Sequence, residues 1–204
     1  MPLTPQQIVT RTEEDPSGIE RIATRKLSNS ILEIVEPDPT WPQQFERLKA
    51  RIVDALGDTA LAIAHTGSTS VPGLPAKNII DIDLTVRDIG DEDSYVPQLE
   101  SAGFTFLLRE RPWHEHRLFG MGWDPTPVNL HVFGPDCPEV ERHRIFREWL
   151  TENAGDRERY AEIKRVSARE SSDKGESMME YNARKEKVLR EILDNAFRAL
   201  GYIE

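Results

Sequence analysis

The chain has 204 residues, of which 38% are hydrophobic and 30% are charged, so its length and composition fit one globular domain with a sizeable core. Its 36 acidic and 26 basic side chains give a formal net charge of -10, which argues against duplex DNA or anionic lipid as a partner but leaves room for a local basic pocket. A single cysteine excludes an internal disulfide framework, and without a long apolar run or a signal-peptide pattern we expect a cytoplasmic protein with no membrane span.

The first 30 residues are polar and show no clear apolar period. We therefore expect a flexible N-terminal extension over residues 1–30, with a short helix near residues 19–26, followed by the domain over residues 31–204. The apolar run at residues 31–35 predicts the first strand, which Pro37 and Pro39 end.

A helix is predicted next, because apolar residues recur there at helical spacing: Trp41, Phe45, Leu48 and Ile52. Thr40 and Gln43 resemble a capping box at its start, and Gly57 is expected to end it. Further strands are predicted at residues 61–65, 104–108, 117–121 and 128–133, and further helices at 94–102, 138–150, 156–170 and 177–200. The strands after residue 104 are too close together for parallel crossovers, which favours an α+β fold with a mixed sheet flanked by helices.

A turn rich in glycine and hydroxyl groups follows the strand at residues 61–65. Its backbone N–H groups and side-chain hydroxyls suit phosphate oxygens. The candidate phosphate-binding residues of this turn are Gly67, Ser68, Thr69 and Ser70. It is not a Walker loop, because Gly67 and Gly73 are too far apart and Leu74 stands where that motif has lysine.

The next strand carries Asp81 and Asp83 two residues apart, so both carboxylates point to the same face. Neighbouring carboxylates repel each other, and a cation between them removes the penalty. Oxygen ligands suit Mg²⁺ or Mn²⁺, which predicts a metal–phosphate site at Asp81 and Asp83. The alternative is a solvated edge strand, but the intervening residues are strongly apolar.

Four other polar residues are interpreted against this pair. Lys77 is either a phosphate contact or a solvated loop lysine, and Arg117 is a candidate phosphate contact. His131 shares a strand face with Asn129 and would face the two aspartates if their strands are neighbours. His131 is then a third metal ligand or a general base, unless it is a core or rim histidine bonded to a carboxylate. His143 is expected on a solvated helix face.

These residues together resemble the GrpB family. The matching stretches are residues 35–42, 65–74, 80–83 and 129–132, with Lys77, Tyr181 and Lys185. The resemblance implies a nucleotidyltransferase-like fold, whose superfamily uses a Gly-Ser turn, an Asp-x-Asp strand and a third carboxylate on a neighbouring strand. In that superfamily the three acids together hold two metal ions. Here Gly67 and Ser68 match the turn and Asp81 and Asp83 the strand, while His131 stands at the third position.

The departure at His131 leaves three alternatives, because a neutral imidazole is a poor ligand for Mg²⁺. A single metal suffices with His131 as base, or a softer metal such as Mn²⁺ is used, or the site binds nucleotide without chemistry. The first hypothesis is thus transfer of a nucleotidyl group from a nucleoside triphosphate to a small acceptor. The second is a non-catalytic module that binds a nucleotide or another phosphorylated metabolite. The third is an interaction protein whose last helix and N-terminal segment serve a partner or a homodimer.

Overall fold

The computed structural model describes residues 2–12, 15–25, 33–122, 126–176 and 178–204. Its strands are β1 (Ile19–Arg21), β2 (Ala60–Thr66), β3 (Ile80–Val86), β4 (Thr105–Glu110), β5 (His116–Met121) and β6 (Val128–Phe133). Its helices are α1 (Pro5–Val9), α2 (Trp41–Leu56), α3 (Val96–Ser101), α4 (Pro138–Glu152), α5 (Ala154–Lys174) and α6 (Met178–Ala199).

These strands form one mixed sheet in the order β1-β4-β5-β6-β3-β2. All neighbours are antiparallel except β3 and β6, which run parallel. The predicted α+β class and mixed sheet flanked by helices are confirmed. From α2 onward, each predicted helix and strand is present with ends within four residues of those expected.

One face of the sheet packs on α2 and α3. Strand β3 alternates, so Ile80, Ile82 and Leu84 point to this face and are fully buried with the apolar stripe of α2. Burying one such side chain contributes about 1.5–3 kcal/mol. The major core therefore lies on the side of the sheet away from Asp81 and Asp83.

The opposite face of the sheet is covered by α4, α5 and α6. Their apolar residues form two smaller clusters, one around Leu150 and Tyr160 and one around Ile145 and Phe197. In the part of the chain that the structure describes, no helix is long and apolar enough to cross a membrane. Space remains between this helical layer and the polar residues of β3 and β6, and there the cavity forms.

The N-terminal segment packs on the domain. The predicted helix at residues 19–26 is wrong, because residues 19–21 pair with β4 and extend the sheet by one strand. Helix α1 buries Ile8 against α4 and α6, and Arg142 donates hydrogen bonds to the carbonyl oxygens of Ile8 (2.8 Å) and Thr10 (3.1 Å). The flexibility of residues 1–30 and the domain boundary at residue 30 stay predictions.

Two local predictions differ near the start of α2. Residues 31 and 32 of the first predicted strand lie outside the described residues, and Val35 makes an isolated bridge to Ala76. Thr40 does not form the predicted capping box. Its backbone is already helical, and its hydroxyl accepts a hydrogen bond from the Gln44 side chain at 2.8 Å. Asp38 starts the turn instead by accepting from the backbone N–H of Thr40 at 2.7 Å.

Candidate functional site

A cavity of about 470 Å³ lies between the polar face of the sheet and the helical layer. This volume falls within the usual range of small-molecule sites, roughly 300–1,000 Å³. Six of the residues predicted for the site line it: Gly67, Ser68, Thr69, Lys77, Asp81 and His131. The other three, Ser70, Asp83 and Arg117, are not part of the lining. The structure thus brings the turn and one of the two aspartates to a single cavity.

The Gly-Ser turn lies directly against Asp81. Gly67 has φ of +66°, and a Cβ atom added to it would lie 2.9 Å from both Cβ and Cγ of Asp81. Such a contact is too short for carbon atoms, so this position requires glycine for its conformation and for the space. The turn continues as a short 3-10 helix over Ser68–Ser70. Turn and carboxylate are therefore packed as one unit at the edge of the cavity.

Two of the predicted phosphate-binding hydroxyls serve the turn itself. Thr69 Oγ1 donates to the carbonyl oxygen of Ile79 at 3.1 Å and lies 3.0 Å from His65 Nε2. Ser70 Oγ donates to the carbonyl oxygen of Gly67 at 2.6 Å. Ser68 lines the cavity, so it is the hydroxyl of this turn best placed for a ligand.

The parallel pairing of β3 and β6 sets the aspartates beside two polar residues. Asp81 lies opposite Asn129, and Asp83 lies opposite His131, which is the neighbourhood on which the interpretation of His131 depended. Asn129 Nδ2 donates to Asp81 Oδ1 at 2.7 Å. Arg25 in turn donates to Asn129 Oδ1, also at 2.7 Å. One oxygen of Asp81 is thus held by an amide that an arginine orients.

Asp83 is paired with a histidine that the sequence interpretation placed on a solvated helix face. That expectation for His143 is wrong, because its Nδ1 lies 2.8 Å from Asp83 Oδ2 and its Nε2 lies 3.3 Å from Glu139 Oε1. Burial lowers the pKa of His143, but the two carboxylates outweigh it and raise the pKa to about 10. His143 is therefore an imidazolium that neutralises Asp83. The available signal was the spacing of Glu139 and His143, four residues apart on a helix that soon follows the His131 strand.

A second chain of hydrogen bonds leads from His131 to β4. His131 Nδ1 lies 3.0 Å from His116 Nε2, and His116 Nδ1 lies 2.6 Å from Glu110 Oε2. Burial lowers the pKa of His131 to about 4 and that of His116 to about 3, so both rings are neutral at pH 7. When Glu110 is ionised, His116 donates to it and accepts from His131, which leaves His131 Nε2 as an acceptor.

The geometry of the predicted ligands Asp81, Asp83 and His131 limits how they could hold a metal ion. Among the described residues, no group of three or more His, Cys, Asp or Glu side chains is arranged to hold one ion. Asp83 Oδ1, however, is buried and has no hydrogen-bond partner in the part of the chain that the structure describes. Mg²⁺ commonly uses one or two carboxylates together with substrate phosphates. The residues therefore fit a cation shared with a bound phosphate, and they do not fit a cage made of protein ligands alone.

Basic and aromatic residues from the helical layer form the opposite wall. Lys77 Nζ lies 4.6 Å and Lys185 Nζ 5.3 Å from the ring centre of Tyr181, and Lys164 Nζ lies 5.3 Å from that of Tyr160. Burial and the neighbouring Lys185 lower the pKa of Lys77 to about 8, and the same causes lower that of Lys164. We call Lys77, Lys164, Lys185, Tyr160 and Tyr181 the lysine–tyrosine wall.

Arg117, predicted as a phosphate contact, points away from the cavity. It is fully buried on the opposite face of the sheet, where its Nε donates to Glu92 Oε1 at 2.7 Å and its Nη1 to the Glu115 carbonyl oxygen at 2.5 Å. Strand β5 presents Leu118 to the cavity instead. Side chains alternate along the strand, so Arg117 and Leu118 point to opposite faces of the sheet. The prediction that Arg117 contacts phosphate in the cavity is therefore wrong.

The chain is similar to a described family and to several known proteins. The family model described as GrpB protein matches residues 31–195. A UPF0157 protein from Halalkalibacterium halodurans is 42% identical over 186 residues, which cover 91% of the chain and 92% of that protein. A dephospho-CoA kinase from Mycolicibacterium paratuberculosis is 32% identical over 176 residues, which cover 74% of the chain and 43% of that longer protein.

A solved structure has the same fold. The crystal structure of a conserved GrpB protein from Enterococcus faecalis matches with a TM-score of 0.71 and 26% sequence identity. The match covers 82% of the chain and 99% of the Enterococcus faecalis chain. The similarity therefore extends over nearly all of that protein.

Proposed function

We propose that this chain, which belongs to the GrpB family, binds a phosphorylated small molecule in its cavity, with a nucleoside triphosphate as the first candidate. The observation that carries the proposal is the lysine–tyrosine wall, which shares one cavity with Asp81 and the Gly67–Ser68 turn. Phosphate groups are recognised by such combinations of ammonium groups, hydroxyls and backbone N–H groups.

The charges around the cavity support an anionic ligand. Its described lining contains four lysine or arginine side chains, Lys77, Arg147, Lys164 and Lys185, and the His143 imidazolium, against the two carboxylates Asp81 and Glu110. Glu110 is already hydrogen-bonded to His116. A chain with a net charge of -10 thus concentrates positive charge around one enclosed space. Clefts lined by one sign of charge attract ligands of the opposite sign.

Nucleotidyl transfer is the second candidate, and the unpartnered Oδ1 of Asp83 on the same strand face as Asp81 favours it. A Mg²⁺ or Mn²⁺ ion arriving with the triphosphate would be held by Asp81 at the cavity and by Oδ1 of the buried Asp83, whose Oδ2 stays paired with His143, and would offset negative charge on the reacting phosphate. The Gly67–Ser68 turn would position the phosphate. His131, neutral at pH 7, would accept a hydrogen bond from the hydroxyl of a small acceptor.

A thermal-shift panel tests the binding proposal. It uses the four ribonucleoside triphosphates, each with Mg²⁺, Mn²⁺ or chelator, on the wild-type chain and on Asp81→Asn, with the exposed Asp54→Asn as control. A ligand at about a hundred times its dissociation constant adds roughly 2.7 kcal/mol, which raises the Tm by several degrees in a chain of this size. We expect that rise in the wild type and the control but not in Asp81→Asn. No shift with any triphosphate would contradict the first candidate.

Product analysis separates the two candidates. Mass spectrometry after long incubation with the bound triphosphate and a set of hydroxylated acceptors should show pyrophosphate and a nucleotidylated acceptor if transfer occurs. Asp83→Asn should then abolish the product. Saturable binding with no product would leave the chain as a binding module, and the transfer candidate would be withdrawn.

A further inference from the structure

We infer that the N-terminal segment completes the site: Arg25 is a positioning residue that orients Asp81 through the side-chain amide of Asn129. The inference rests on the proposed function in that Asp81 is the carboxylate the ligand meets. Arg25 itself is absent from the cavity lining, so its effect is indirect. It comes from the part of the chain that the sequence interpretation treated as a flexible extension.

Two hydrogen bonds fix the direction of the Asn129 side-chain amide. Arg25 Nη2 donates to Asn129 Oδ1 at 2.7 Å, and Asn129 Nδ2 donates to Asp81 Oδ1 at 2.7 Å. A guanidinium has only donors, so it can meet only the oxygen end of an amide. The NH₂ end must then face Asp81. Without the guanidinium, the amide keeps only the carboxylate as a partner that fixes its direction, and its oxygen loses the donor that holds it in place.

The Arg25 guanidinium is also bonded to the backbone on either side of the loop between β5 and β6. Arg25 Nη1 donates to the carbonyl oxygen of Val128, the residue before Asn129, and to that of Met121 at 3.3 Å. The same arginine thus binds the backbone and the side chain at the start of β6. Burial lowers the pKa of Arg25, opposed by Asp81, but an arginine keeps its charge in proteins. The Arg25 guanidinium is therefore held near Asp81, separated from it only by the side-chain amide of Asn129.

Arg25 occupies space that a side chain on Gly120 would fill. A Cβ atom added to Gly120 would lie 2.9 Å from Arg25 Nη1, 3.0 Å from its Cδ and 2.7 Å from Leu107 Cδ1. Gly120 lies opposite Asn129 in the pairing of β5 with β6. The absence of a side chain on Gly120 therefore opens the slot through which Arg25 reaches Asn129. The missing side chain of Gly67 lets the turn pack against Asp81, and the missing side chain of Gly120 leaves space for Arg25.

The N-terminal segment is attached to the sheet by backbone hydrogen bonds that do not involve the Arg25 side chain. The segment before Arg25 is already attached through the pairing of β1 with β4, and both Ile22 and Ala23 donate backbone hydrogen bonds to the Leu107 carbonyl oxygen, at 2.8 and 3.2 Å. The guanidinium is thus not needed to hold the segment on the sheet. We expect chains with a substitution at Arg25 to fold with β1 in place.

The test uses Arg25→Ala, with Arg11→Ala as its matched control. Arg11 lies in the same N-terminal segment and pairs with Asp194 at 2.8 Å, away from the cavity. The first readout needs no ligand: ¹⁵N NMR of the Asn129 side-chain NH₂, assigned by its loss in Asn129→Asp. We expect slow solvent exchange of these protons in the wild type and in Arg11→Ala, and fast exchange in Arg25→Ala.

The second readout is the affinity for the four ribonucleoside triphosphates with Mg²⁺ or Mn²⁺. Loss of a hydrogen bond to a charged group weakens such an interaction by about tenfold or more, so we expect that loss in Arg25→Ala. Millimolar guanidinium, far below denaturing concentrations, should enter the slot over Gly120 and restore part of the affinity. A merely structural defect would not respond to guanidinium in this way.

Three outcomes are distinguishable. An unchanged Asn129 amide in a folded Arg25→Ala chain would overturn the inference. An altered amide in a chain whose wild type binds no triphosphate would support the inference and contradict the triphosphate proposal. An altered amide with unchanged triphosphate affinity would also overturn it, because Arg25 would then not position a carboxylate that the ligand uses.

Discussion

The two faces of the sheet both carry buried charged residues, and they differ in how completely those charges are satisfied. On the face toward α2 and α3, Glu92 accepts hydrogen bonds from both Arg109 and Arg117. On the cavity side, Asp83 Oδ1 and the Tyr181 hydroxyl of α6 are buried without a hydrogen-bond partner among the described residues, whereas the described atoms in that state in α2 and α3 are the uncharged amide oxygens of Gln44 and Gln98. A satisfied network stabilises the fold, whereas unsatisfied buried groups beside a cavity indicate a ligand. Substitutions on the α2–α3 face should therefore lower stability without changing ligand affinity, whereas substitutions on the cavity face should mainly weaken ligand binding.

The largest effect on stability is expected from Glu92→Ala. It leaves the fully buried Arg117 without its main partner, and breaking a buried ion pair costs about 3–5 kcal/mol. Ligand affinity should not change, because Glu92 and Arg117 lie on the far side of the sheet. Urea unfolding and calorimetric titration check the two parts. A Glu92→Ala chain with native stability would show that the network is not what holds this face.

The largest effect on binding is expected from Gly67→Ala, compared with Gly73→Ala. Both glycines have positive φ, and Gly67 with ψ of -170° lies in a region essentially restricted to glycine, so each substitution costs about 1–3 kcal/mol of backbone strain. Only at 67 does the new Cβ meet Asp81; at 73 nothing lies within 4 Å. We expect Gly67→Ala to abolish the ligand-induced thermal shift and Gly73→Ala to keep it. Equal loss in both would contradict the packing of turn and carboxylate as one unit.

A smaller effect of opposite sign is expected at two tyrosines. The Tyr181 hydroxyl has no hydrogen-bond partner within the described ranges, so Tyr181→Phe removes an unsatisfied polar group and should stabilise the chain by about 1–3 kcal/mol while weakening ligand binding. The Tyr95 hydroxyl donates to the Ile89 carbonyl oxygen at 2.8 Å, so Tyr95→Phe should destabilise by about 0.5–1.5 kcal/mol without affecting binding. Thermal melts with and without ligand compare the pair. A destabilised Tyr181→Phe chain would mean that its hydroxyl is already satisfied.

A further effect of the Glu92 network concerns acid pH. Hydrogen bonds from Arg109, joined by Arg117 and opposed by burial, lower the pKa of Glu92 from 4.5 to about 2. A carboxyl group whose pKa is lowered by folding stabilises the native state above its unfolded pKa, and this contribution is lost as the pH falls through the folded pKa. Stability should therefore fall between about pH 4.5 and pH 2 more steeply in the wild type than in Glu92→Gln. Parallel pH profiles of the two chains would contradict the assignment.

Much of the site could be predicted from the sequence because it rests on local alternation. The period of two on β3 places Asp81 and Asp83 together, and the same period on β6 brings Asn129 and His131 to the shared face. Arg117 shows the limit of this reasoning. A one-residue difference in parity reverses the face, and nothing in the sequence of β5 fixes which residues meet the cavity.

The remaining site residues depend on contacts far apart in the chain. Asp83 meets His143 across 60 positions, and Asn129 meets Arg25 across 104. Lys164 and Lys185 reach the cavity from α5 and α6, whose surfaces are otherwise rich in charge. A charged side chain on a helix is usually solvated, so only the packing of the helical layer reveals which of them face the sheet.

The most direct measurement is a calorimetric titration of the wild-type chain with each ribonucleoside triphosphate in the presence of Mg²⁺ or Mn²⁺, repeated on Lys185→Met and on the exposed control Lys187→Met. Saturable binding at one site per chain, lost in Lys185→Met and kept in Lys187→Met, is the expected result. If no triphosphate binds, the triphosphate proposal is contradicted. If both lysine variants bind as the wild type does, the lysine–tyrosine wall does not hold the phosphate groups.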